Sequence, residues 1–96
     1  MPSILHFELQ ADGLPADVQV ASATIQEAIS RPTSALVQLR SREDIDLDAL
    51  VGQPATVVVM EDGAPVRHFH LVVTAFRFEG LRLPYRRYTV ELAHEL

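Results

Sequence analysis

At the start of the chain Leu5, Phe7 and Leu9 alternate with His6, Glu8 and Gln10, and a period of two puts the three apolar side chains on one face of a half-buried β-strand. Gly13 and Pro15 follow as turn chemistry, the first for positive φ and the second for a fixed one. A second extended run covers residues 17–29. Its phase changes: Val18 and Val20 share one parity, while Ala21, Ala23, Ile25 and Ile29 share the other. Either a bulge switches the faces or both faces are covered near the middle. Apolar positions four apart in residues 25–29 also admit a helix, with strand the favoured reading. Pro32 disfavours helix for its predecessor and gives no donor to a ladder, so Ser30, Arg31 and Pro32 are expected to break the run. A third strand, residues 33–41, carries Ala35, Val37 and Leu39 on one face and Leu36, Gln38 and Arg40 on the other.

From residue 42 to residue 46 the alternation stops and the chain turns acidic. The acids precede Leu47-Asp48-Ala49-Leu50, where they can cap a helical turn and favour its N-terminal dipole. Gly52 ends that turn, since glycine takes the left-handed C-cap conformation most cheaply, and Pro54 opens the next segment. The apolar run Ala55-Thr56-Val57-Val58-Val59-Met60 leads to Asp62-Gly63, a strong hairpin signal, and then to the longest run, residues 65–79. Val66, His68, His70, Val72, Thr74, Phe76 and Phe78 share one parity of it; Arg67, Phe69, Leu71, Val73, Ala75 and Arg77 share the other. Both faces are apolar in the middle, which suits a strand that bends around a barrel and meets different neighbours at its two ends. Residues 80–85 are expected as a loop, and residues 86–93 as a last strand with Tyr88, Val90 and Leu92 inward. Together these elements predict a mainly β chain, a small antiparallel β-barrel of about six strands with one short helix, and residues 1–96 as a single domain.

Composition narrows the function classes. With 48% apolar and 22% charged residues the chain is globular rather than disordered, and it contains no apolar run long enough to span a bilayer. Residues 1–6 have neither a basic stretch nor a long apolar one, so no secretory leader is expected. The absence of cysteine removes disulfides, thiolate chemistry and cysteine zinc sites, and fits a reducing compartment. A net charge of -5 disfavours a general nucleic-acid binder. The charge is uneven: residues 1–48 hold eight acids against Arg31, Arg40 and Arg42, and the rest holds five acids and five arginines.

Catalytic and metal-binding patterns are weak. Asp44, Asp46 and Asp48 imitate the start of a calcium loop, but Ala49 replaces its glycine and Ala55 its closing glutamate, so helix capping is the favoured reading. His68 and His70, two apart on a strand, point the same way and could meet His6 or His94 at a metal; two ligands make no site, and structural histidines are favoured. No nucleophile elbow or glycine-rich phosphate loop exists. Tyr85-Arg86-Arg87-Tyr88 alternates aromatic and basic residues as a single-strand binder does, yet Tyr88 lies on the core parity, which favours a rim of arginines beside a core tyrosine. No cofactor is expected, and no enzyme.

A family resemblance adds to this reading. Phe7 and Leu9, the Ile29-Ser30-Arg31-Pro32 run, residues 47–55 including Leu47, Leu50, Gly52 and Pro54, the Val66-Arg67-His68-Phe69-His70 segment, Val72, Thr74, and the Tyr88, Val90, Leu92 strand resemble the N-terminal hub domain of VgrG, the type VI secretion spike protein, and related phage tail hub proteins. The most specific piece is residues 47–55 followed about a dozen residues later by the histidine segment. Leu71 departs from the family, which usually has Gly there. The resemblance implies a structural part of a contractile injection machine, a trimer in the full-length family, with the secretion tube protein and the spike or effector as partners and no direct membrane insertion. It also implies a bacterial cytoplasmic protein exported with the apparatus. Family members continue into a second barrel and a spike, so this chain is expected to represent a fragment, a truncated gene product or a dissected domain. Surfaces that the next barrel would cover should then be bare, and self-association through residues 65–79 or the first strand is expected. The alternative is a ligand-binding barrel that takes an anionic oligomer on Arg82, Arg86 and Arg87.

Overall fold

The computed structural model describes residues 5–94; residues 1–4, part of the stretch tested for a leader, and residues 95–96 lie outside the described residues. Six strands are present among them: β1 (Leu5–Gln10), β2 (Gln19–Ala28), β3 (Arg31–Ser41), β4 (Pro54–Glu61), β5 (Ala64–Arg82) and β6 (Tyr85–Ala93), with the one-turn helix α1 (Leu47–Leu50) between β3 and β4. They form one antiparallel sheet in the order β1-β4-β5-β6-β3-β2. The sheet curls into a half-barrel. Its edges β1 and β2 come into contact, but no ladder joins them among the described residues.

The length of β5 makes the curl possible. Residues 64–72 pair with β4, and residues 72–82 pair with β6, so one strand serves both halves of the sheet. A register shift between Val73 and Ala75 switches its faces: Phe69, Leu71 and Val73 point into the core before it and Phe76 after it. The bulge explains why both parities of this run are apolar. β2 behaves likewise, since a shift between Val20 and Ser22 lets Val20, Ala23 and Ile25 all pack on the core despite their different parities. The concave face collects Ala35, Val37 and Leu39 of β3, Ala55 and Val57 of β4, and Tyr88, Val90 and Leu92 of β6. Leu71 stands opposite Ala55, whose small side chain leaves room for it in the core.

Three expectations are corrected. The break expected at Pro32 falls at Ile29 and Ser30; Arg31 and Pro32 belong to β3, with Pro32 inside the register irregularity beside Ala28, where a missing donor costs little. The loop expected over residues 80–85 is only Leu83 and Pro84, because Gly80 (φ +118°) follows a second shift in β5 and lets pairing continue to Arg82. Finally, β5 has neighbours on both sides, so the free edges of the sheet are those of β1 and β2. The Asp62-Gly63 turn is as expected, with positive φ at both residues (51° and 83°), the geometry that matches strand twist in a two-residue hairpin.

Gly52 also has positive φ (+88°), and nothing lies within 4 Å of where its Cβ would be. A substitution there is strained by backbone conformation alone. Gly52→Val is expected to lower stability by about 1 to 3 kcal/mol; an unchanged urea midpoint would show that the turn readjusts freely.

Candidate functional site

The acidic segment between β3 and β4 closes one end of the half-barrel. Asp46 starts α1 as its N-cap, its carboxylate accepting from the amides of Asp48 (3.1 Å) and Ala49 (3.3 Å). One turn of helix is too short to persist alone, so packing holds it. Ile45 and Leu50 are buried in the core, whereas Leu47 is half-buried. Beyond the helix, the Gly52 amide donates to the Val73 carbonyl (2.7 Å) and the Val73 amide to the Gln53 carbonyl (3.0 Å), which moors the segment to β5 before Pro54 begins β4.

Tyr88 fastens the same segment from the sheet side. Its hydroxyl accepts from the Ile45 amide (3.1 Å) and donates to an Asp44 carboxylate oxygen (3.2 Å), and burial pushes its phenol above the ordinary value. A second tether comes from Asp17 in the β1–β2 connection. Its carboxylate accepts from the buried Ser41 hydroxyl (3.0 Å) and the Arg42 amide (2.8 Å), and chiefly the amide bond holds it below the usual carboxylate range. Asp17 and Ser41 escape notice in the sequence, although Ser41 continues the inward parity of Ala35, Val37 and Leu39 and so invites a search for a polar partner.

The remaining family residues do not converge with this end. Arg31 and Pro32 are exposed at the start of β3. His68 and His70 stack on the opposite, convex face with ring centroids 6.4 Å apart, and the His70 Nδ1 lies 3.0 Å from the Thr56 hydroxyl. Among the described residues no three His, Asp or Glu side chains gather as metal ligands.

Arginines gather instead on the convex face of β3, β6 and β5, around a cleft of about 840 Å³ lined by Arg40, Arg77, Arg82 and Arg87 together with Leu36, Leu83 and Tyr85. Arg40 donates to the Gln19 side chain (2.8 Å), and its guanidinium lies 5.0 Å from the Tyr85 ring centroid, with that of Arg42 at 5.6 Å. Arg77 is shared between Glu79 and Glu91, both at 3.4 Å. Arg82 and Arg87 form no ion pair among the described residues. Arg86, grouped with them in the sequence, takes the inward parity opposite Ser41 and lies outside the cleft.

The geometry is that of a curled sheet with two edge strands and one end closed by a capped helical turn. Residues 26–96 match the phage tail baseplate hub (GPD) family, and the chain belongs to that family. It is a hub domain of the kind that serves as a structural component of contractile injection machines. It is 40% identical over 87 residues, 90% of the chain, to the type VI secretion system spike protein VgrG5 of Pseudomonas aeruginosa. The chain spans 11% of that relative's length. No helix among the described residues is long and apolar enough to cross a membrane.

Proposed function

We propose that residues 1–96 form the first hub barrel of a longer spike protein, a non-catalytic unit that helps build a trimeric ring seated on the secretion tube and carrying the spike. The observation that carries this reading is the similarity to a VgrG spike protein over 90% of the chain. In such a protein the barrel would be made in the bacterial cytoplasm and leave with the apparatus. Its partners would be further copies, tube protein and spike or effector, with neither nucleic acid nor a bilayer among them. Leu47, Leu50, Gly52, Pro54 and Tyr88 would then serve by closing the barrel end, and Arg31, Pro32, His68 and His70 by shaping exposed surface.

The half-open sheet supports assembly, because β1 and β2 touch without a ladder between them among the described residues and Leu5 at the start of β1 is exposed. Unpaired edges are templates for further strands. The chain is expected to self-associate as a closed oligomer through β1, with roughly 1,200 Å² or more buried in total. Light scattering across a dilution series and co-sedimentation with assembled tube protein test this. A strict monomer at high micromolar concentration that ignores the tube would overturn it.

A further inference from the structure

The arginine cleft is not required by the fold. Arg40 and Arg87 stand directly opposite each other across the β3–β6 ladder, and like charges so placed cost stability. Arg82 lies on the same wall, and among the described residues Arg77 alone of the four cleft arginines forms an ion pair. The chain as a whole carries -5, so this cleft is a positive island on an acidic molecule. Such a feature concentrates field and steers an oppositely charged partner. Part of it is already ordered, since Gln19 and Tyr85 hold Arg40 before anything binds, which lowers the entropy lost on binding.

We propose that the cleft formed by Arg40, Arg82 and Arg87 on the convex face of β3, β6 and β5 docks an acidic segment of a partner protein, its carboxylates taken by the guanidinium groups. Arginine forks match planar carboxylates two bonds at a time. Leu36 (41% exposed) and Leu83 (87% exposed) flank the charges, and that mixture suits a peptide in which acidic and apolar side chains alternate. A long polyanion fits worse. It would run out of the cleft onto a chain of opposite preference, and Glu79 lies in the cleft wall.

The proposal rests on the hub reading only for the source of the partner. A labelled, blocked decapeptide alternating glutamate and leucine, followed by fluorescence anisotropy, is the probe. Binding that weakens with added salt is expected, and the double variant Arg82→Gln with Arg87→Gln should weaken it by about tenfold or more, as hydrogen bonds to charged groups require. Arg31→Gln removes one positive charge outside the cleft and should leave affinity unchanged; thermal melts of each variant confirm folding. The idea is overturned if the peptide fails to bind, if a glutamine-for-glutamate peptide binds equally, if the double variant binds normally, or if an oligothymidylate of equal length displaces the peptide at lower concentration. Light scattering on the same samples keeps the two readings apart: a monomer that binds the peptide sinks the hub assembly alone, and an oligomer that ignores it sinks the cleft alone.

Discussion

Tyr88→Ala is expected to lower the unfolding free energy by about 3 to 5 kcal/mol, the range for emptying a buried aromatic site. Tyr88 is 1% exposed, and its ring centroid lies 5.5 Å from those of both Phe76 and Phe78 at tilted angles, so truncation leaves two aromatic neighbours without a partner. Tyr88→Phe separates the ring from the hydroxyl. It keeps the packing and strands the Ile45 amide, a loss of about 1 to 3 kcal/mol for an unsatisfied buried donor. The hydroxyl also predicts a pH limb. Burial raises the phenol above its ordinary value, so as pH rises past about 10 the unfolded chain loses this proton while the folded chain keeps it. The unfolded state then binds fewer protons, and stability falls with rising pH until the folded value is reached. Urea midpoints measured across the alkaline range should show this decline in the parent and a shallower one in Tyr88→Phe. Identical profiles would mean that the hydroxyl is solvated in the folded state.

Leu50→Ala should cost about 2 to 5 kcal/mol, far more than Leu47→Ala one helical turn earlier. The contrast arises from position: Leu50 is 1% exposed, whereas Leu47 is half-buried. The β1–β2 connection lies on the same side chain, with the position of an added Gly13 Cβ only 3.9 Å from Leu50 Cδ2. Removing Leu50 therefore undermines two segments at once, and the cavity cannot collapse without moving both. Equal urea midpoints for the two variants would reduce residues 45–52 to a surface loop.

Much of the local architecture follows from short-range chemistry. The alternation of Leu5, Phe7 and Leu9 is sufficient for β1, Asp46 and Gly52 bound α1, and Asp62-Gly63 sets its hairpin, because φ preference and period-two burial act within a few residues. Where strand bounds depart from the local pattern, longer-range pairing prevailed. Pro32 could sit in β3 because a register irregularity removed the need for its donor, and β6 as a partner drew β5 three residues past the expected end at Glu79.

The candidate site divides in the same way. Leu50, Gly52 and Tyr88 carry their own signals, an apolar residue closing a helical turn, a left-handed stop and an inward aromatic on an alternating strand. Asp17 and Ser41 are joined by a bond across 24 positions, and neither residue type announces a partner so distant. Arg82, Arg86 and Arg87 look like one cluster along the chain, yet strand parity sends Arg86 to the other face, and register brings in Arg40 from β3 instead. The sequence by itself determined strand identity, the helical turn at Leu47 to Leu50 and the Asp62-Gly63 turn, since those depend on neighbours a few bonds away. Only the tertiary structure decided which edges stay open and which arginines share a cleft, because ladder order and bulge placement are settled by how the whole core packs.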